Sequence, residues 1–141
     1  MGIVNKKKHY NSSIQIQAMK SNYPQFKSII KGNEIEFIGD LTVKPEFPTY
    51  TVSITYRGDL RPLVRIINPK LVENPKHYYQ STKSLCLYHP KDYTWSRGKL
   101  IAKDIVPWTA GWIYFYEVWL ETDVWYGPEA EHVNLNDNKD E

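Results

Sequence analysis

The sequence holds a single cysteine, Cys86, in 141 residues. One thiol cannot close a disulfide within the chain, which excludes a disulfide-stapled secreted scaffold and fits a reducing compartment. Long apolar runs are missing too. The best stretch, residues 111–120, is interrupted by Glu117 and falls short of the roughly 20 residues that span a bilayer, so no membrane partner is expected. The N-terminus lacks the apolar core of a signal peptide; its first residues are basic and polar, which points to a cytoplasmic address. A Gly-rich phosphate loop and a Ser-His-Asp order are also absent, and no cofactor is expected.

Acidic residues are absent from the first 33 positions, which carry six Lys; positions 34–127 hold eleven side chains of each sign, and 128–141 hold one Lys against five acids. A basic start invites a nucleic-acid reading, because phosphate neutralisation supplies most non-specific affinity. Lys6, Lys7 and Lys8 nevertheless form one short terminal run, and the body of the chain is electrically balanced. No nucleic-acid partner is expected.

What the chain does have is the composition of one folded domain: 41% hydrophobic residues, 24% charged, 5 Trp and 11 Tyr. A helix is predicted over about 12–21, with Asn11, Ser12 and Ser13 as cap candidates and a break before Pro24. Alternating residues predict strands at 34–39, 50–56 and 63–67, the last two joined at Arg57-Gly58-Asp59 and the last ended by Asn68-Pro69. Short turns between consecutive strands make an antiparallel meander. Residues 68–99 carry Pro69, Pro75 and Pro90 and read as a long loop, a length that is disproportionately functional in a compact domain. A helix then begins near Pro107 and ends near Thr122, with Trp108, Trp112, Phe115, Val118 and Trp119 on one face and Glu117 and Glu121 on another. Trp125 and Tyr126 are expected to pack back as lids on the core. The expected class is α+β, with helices covering one side of an antiparallel sheet.

Cys86 lies in Ser84-Leu85-Cys86-Leu87-Tyr88-His89-Pro90. Between two leucines it reads first as a small buried hydrophobe. Against that, a proline-rich loop leaves main-chain N–H groups free, and Lys83 and His89, three positions to either side, supply the positive potential that favours a thiolate. An activated, accessible thiol is the functional alternative. A cysteine-protease dyad would need His77, His89 or His132 beside it, without any local signature of that class. The spacing of His77, Cys86 and His89 also suggests half of a zinc site, with His132 or a carboxylate as the fourth ligand. Trp95, later in the same loop, either clamps the loop and so fixes the thiol, or is ordinary packing. Trp108, Trp112 and Trp119 read as core rather than as a ligand platform.

Together, Pro48-Thr49-Tyr50-Thr51-Val52-Ser53-Ile54, Arg61-Pro62-Leu63-Val64, Asn68-Pro69, His77-Tyr78, Leu85-Cys86-Leu87 and Trp95, followed by a helix, resemble the ubiquitin-conjugating-enzyme fold over about residues 12–125. That fold has an N-terminal helix, an antiparallel strand meander, a long active-site loop and a C-terminal helix. The segment from His77 through Pro107-Trp108, with Tyr116-Glu117-Val118-Trp119-Leu120 and Trp125-Tyr126-Gly127-Pro128-Glu129-Ala130-Glu131-His132, is more closely similar to the bacterial ubiquitin-conjugating-like proteins of antiphage operons, those of type II cyclic-oligonucleotide-based signalling systems. The resemblance implies a domain over 12–132, between a flexible basic N-terminus at 1–11 and an acidic tail at 133–141.

It also implies that Cys86 accepts a protein C-terminus as a thioester and passes it to an amine, the protein being a nucleotidyltransferase related to the cyclic GMP-AMP synthases. Cysteine suits a carrier because it is both a good nucleophile and a competent leaving group. With 141 residues there is no room for a nucleotide-binding module, so a separate activating enzyme is implied, docking on the basic first helix. His77 stands where the family has the His of a His-Pro-Asn motif, but no Asn lies between it and Cys86. The oxyanion donor is therefore open among Ser84, the His89 side chain and a backbone N–H. The rivals are a non-catalytic binding module on the same fold, in which Cys86 is incidental, and the zinc site.

Overall fold

The computed structural model describes residues 9–128; the run Lys6-Lys7-Lys8, His132 and the tail at 133–141 lie outside the described residues. Helix α1 (Ser12–Asn22) starts where Asn11 stands, its Oδ1 accepting the Ile14 N–H at 2.9 Å and so satisfying one of the amides that a helix start leaves open. It stops at Tyr23, whose neighbour Pro24 disfavours helical backbone before it. Only Gln15 and Met19 of α1 are buried.

The meander has four strands, where the sequence pointed to three. The additional one, β1 (Lys27–Lys31), pairs with β2 (Glu34–Leu41) across a two-residue Gly32-Asn33 turn that puts Gly32 at φ +60°, a conformation open to glycine. Every residue of β1 is exposed. With no buried face there is no alternation to read, and the Gly-Asn dipeptide was the available signal. Strands β3 (Tyr50–Arg57) and β4 (Leu60–Asn68) form the next hairpin around Gly58-Asp59, each somewhat longer than its alternating stretch. All neighbours are antiparallel, in the order β1-β2-β3-β4.

One sheet face carries the core. Ile35, Phe37, Tyr50, Val52, Ile54 and Val64 pack in one cluster with Met19 of α1 and with Ile101, Ile105, Val106, Trp112 and Ile113 from the C-terminal helical segment. Each side chain so buried contributes about 1.5–3 kcal/mol. Phe26 lies across β2 at Gly39, where a Cβ would come within 2.5 Å of its ring. A side chain at position 39 would push Phe26 off the sheet.

The C-terminal helix α2 (Val106–Thr122) has Pro107 in its first turn, as expected, and is preceded by a π-helical turn at Ile101–Ile105. Its buried face is Val106, Thr109, Trp112, Ile113 and Tyr116. Of the stripe expected from spacing, only Trp112 is buried, and Trp108 is 36% exposed. The cause is that α2 is apolar almost all round, so three- and four-residue spacing does not single out one face. Tyr50 donates a hydrogen bond to Glu117, which ties β3 to α2.

Gln15 joins α1 to the entry of the helical segment. Fully buried, it donates from Nε2 to the Lys99 carbonyl at 2.8 Å and accepts the Ile101 N–H on Oε1 at 3.1 Å. Gln15→Leu keeps the bulk and orphans both backbone groups, so urea denaturation should show a loss of about 2–4 kcal/mol. Gln17→Ala, on the exposed face, should stay within about 0.5 kcal/mol of wild type. Equal effects from the two would contradict a buried polar clip.

Candidate active site

The segment expected to be all loop contains a small antiparallel pair, β5 (Tyr78–Tyr79) and β6 (Ser84–Leu85), with Tyr78 opposite Leu85 and Tyr79 opposite Ser84. Two-residue strands are too short to show periodicity, although Tyr and Leu suit them. Arg65 of β4 donates from Nε to the Thr82 carbonyl at 3.1 Å, which holds the connecting turn against the main sheet. Cys86 is the first residue after β6.

The backbone of His77 organises the junction. Held at φ 52°, it presents its carbonyl to the Cys86 N–H at 2.8 Å and to the Trp112 indole N–H at 3.0 Å. Its ring packs on Trp125, with centroids 4.8 Å apart. Trp125 also meets Trp112 and Phe115 and so acts as the expected lid, whereas Tyr126 is 65% exposed and does not.

Cys86 Sγ lies 3.5 Å from both the Tyr79 hydroxyl oxygen and the Tyr88 carbonyl, and its single proton serves one of them at a time. The residue is 8% exposed, so the thiol is buried where the loop composition pointed to an accessible one. The reason is local: Tyr79 and Tyr88 close around it, and Leu85 and Leu87 flank it. Beside it Arg61, Pro62, Tyr79, Leu87 and Tyr88 line a cleft with about 10 Å³ of free volume, room for one water. Nothing the size of a nucleotide or an organic cofactor enters such a space.

The other expected site residues are held in place by different partners. Ser84 is fully buried, its hydroxyl 2.6 Å from that of Thr82. His89 accepts the Lys91 N–H on Nδ1 at 3.0 Å, and its carbonyl accepts the Asp92 N–H at 2.9 Å, so it shapes the turn that follows Cys86. Trp95 is buried and donates from Nε1 to the Gly58 carbonyl at 2.9 Å, edge-on to Tyr56. With Arg97, whose N–H meets Asp59 Oδ1 at 2.9 Å, it pins the loop to the β3–β4 turn. Among the described residues no cluster of three or more His, Cys, Asp or Glu could hold a metal ion, so the His77, Cys86, His89 zinc set is not assembled there; His132 lies outside them.

Residue spacing missed Tyr79 and Arg61. The Arg61 guanidinium sits 4.2 Å from the Tyr79 ring centroid, so a cation faces the ring whose hydroxyl meets the thiol. The pairing of β5 with β6, and the packing of that hairpin against β4, bring Arg61 to Tyr79 and Tyr79 to Cys86. On the side of Tyr88, the rings of Tyr88, Tyr93 and Trp108 pack with centroids 4.7–5.7 Å apart.

An N-terminal helix, an antiparallel meander, a cysteine in a braced loop and a following helix together define a ubiquitin-conjugating-like α+β domain. The sequence matches the family described as Type II CBASS E2 protein over residues 15–133, and the chain belongs to that family. Membership gives it an E2-like role in the antiphage operons of cyclic-oligonucleotide-based signalling. No curated protein matches the chain. Among the described residues, no helix is long and apolar enough to cross a membrane.

Tyr93 donates to Asp104 Oδ2 at 2.8 Å, and burial followed by that carboxylate raises its phenol above the ordinary value of 10.0. Tyr50 is raised likewise, by burial and by Glu117. The folded chain keeps these protons where the unfolded chain loses them, so their stabilisation is complete below pH 10.0 and is lost as pH rises beyond it. Denaturation midpoints should fall above that pH, and Tyr93→Phe should make the decline shallower. An unchanged slope in the variant would contradict the assignment.

Proposed function

We propose that the chain is an acyl carrier of the ubiquitin-conjugating kind, with Cys86 receiving a protein C-terminal carboxyl by trans-thioesterification and transferring it to an amine. In the first step the Cys86 thiolate attacks the carbonyl of a donor thioester, and the donor sulfur leaves with the electron pair. In the second, an amine nitrogen attacks the Cys86 thioester, the C–S bond breaks, an amide forms and the amine proton passes to water. The cargo is a nucleotidyltransferase related to the cyclic GMP-AMP synthases, charged by a separate activating enzyme that docks on the α1 end.

The observation that carries this reading is the placement of the chain's sole cysteine within the segment that matches an E2 family. It sits on a loop braced through its own N–H to His77 and through Trp95 to Gly58, beside a cleft too small for a cofactor. Such a carrier needs a fixed thiol rather than a deep pocket, because two proteins must reach it in turn. The 8% exposure of Cys86 is the one observation favouring a second reading, a non-catalytic binding module in which the cysteine is packing.

Intact-mass spectrometry of wild type and Cys86→Ser, each co-expressed with its operon neighbours and kept free of reductant, separates the two. The carrier reading expects a wild-type adduct that thiol reagents remove and a more durable oxyester on the Ser variant, with a mass that identifies the cargo. No adduct with any neighbour would leave the binding module as the better account.

A further inference from the structure

The contact between Cys86 and Tyr79 supports a more specific statement, which rests on the thioester reading. Attack on a thioester turns its carbonyl oxygen into an oxyanion, and a fixed donor aimed at that oxygen lowers the barrier. Several polar groups near Cys86 are already engaged. The Cys86 N–H is bonded to His77 O, the Ser84 hydroxyl lies fully buried against Thr82, and His89 Nδ1 holds the Lys91 amide. The Tyr79 hydroxyl meets the reacting sulfur itself at 3.5 Å, and Tyr79 lines the cleft beside it.

We infer that Tyr79 is a catalytic residue of the acyl carrier: its hydroxyl takes the Cys86 S–H hydrogen bond at rest and donates to the acyl oxygen once the thioester exists. The switch of roles follows from the chemistry. In the free enzyme Sγ carries the proton and the phenol oxygen accepts it. Acylation replaces the S–H by an S–C bond, the S–H proton leaving with the departing thiol, and the acyl oxygen, on the carbon bonded to Sγ, lies within reach of the Tyr79 O–H. When an amine attacks, the carbonyl electron pair moves onto oxygen and is held by the Tyr79 O–H. When the intermediate collapses, the pair re-forms C=O, the C–S bond breaks with its electrons going to Cys86 Sγ, and the nitrogen proton leaves to water. Tyr79 keeps its own proton throughout.

Arg61 is the positioning residue. Its guanidinium, 4.2 Å from the Tyr79 centroid, fixes the ring and draws electron density from it, making the phenol a stronger donor. The register of β5 against β6 holds Tyr79 in place from the backbone side.

The test uses phenyl thioacetate as a small thioester that needs no partner protein. Acetyl transfer to Cys86 releases thiophenol, and discharge of acetyl-Cys86 to free lysine is followed by intact mass. Tyr79→Phe keeps the ring and its stacking on Arg61 and removes only the hydroxyl. Both acylation and discharge should slow by about 100- to 1,000-fold, the range for loss of one oxyanion donor, with the circular dichroism spectrum unchanged. Arg61→Met, which keeps the phenol, should slow both steps less than Tyr79→Phe does. In the Tyr79→Phe background Arg61→Met should add no further loss, because Arg61 acts through the phenol, whereas a separate structural role would slow the two variants additively. Rates within twofold of wild type in a folded Tyr79→Phe protein would overturn the role of Tyr79 and leave the carrier reading standing. A wild-type thiol that takes no acetyl group until the chain is unfolded would overturn both.

Discussion

A single carbonyl holds the candidate site together. His77 O accepts the amide of Cys86 and the indole N–H of Trp112, so the backbone of Cys86 and the middle of α2 are fastened to the same atom. The bond is possible because His77 adopts a left-handed backbone conformation, which turns its carbonyl inward, and because the β5–β6 pair returns the chain to it nine positions later. Trp125 covers the His77 ring. Withdraw that carbonyl and a buried amide and a buried indole lose their acceptor together, at a cost of about 1–3 kcal/mol each.

The remaining scaffold answers to the same need. Trp95 and Arg97 fix the far arm of the loop to the β3–β4 turn, and Gln15 fixes the chain where it enters the helical segment. Cys86 is thus held from both sides by bonds to secondary structure. That rigidity suits a carrier, since a group positioned in advance loses little entropy on reaching the transition state. Its counterpart is burial. The atoms that orient Sγ, Tyr79 Oη and Tyr88 O, also cover it, so orientation and access are set by the same two residues.

Much of the fold was legible because its signals are local. Asn11 and Pro24 bracket α1, alternation marks β2, β3 and β4, and Pro107 marks the first turn of α2. Strand β1 was not, since a fully exposed edge strand has no alternation. The buried face of α2 was hidden for the opposite reason, an excess of apolar residues on every side. At the site, Cys86 and the clamping part of Trp95 could be read from loop composition and spacing, and the resemblance supplied the ubiquitin-conjugating class. Tyr79 and Arg61 could not be read, because their meeting depends on how the β5–β6 hairpin packs on β4, some eighteen positions away in sequence. A cation that spacing did not point to, Arg61 of β4, stands over the Tyr79 ring.

The central claim is that Cys86 is a working thiol rather than packing. Its most direct test is the rate of iodoacetamide alkylation at Cys86 in the native protein compared with the urea-unfolded chain, read by peptide mass at neutral pH. The account predicts that Cys86 is modified in the folded state, faster than global unfolding can supply the open chain. Modification confined to the unfolded chain would contradict it and make Cys86 a core residue of an E2-like binding module.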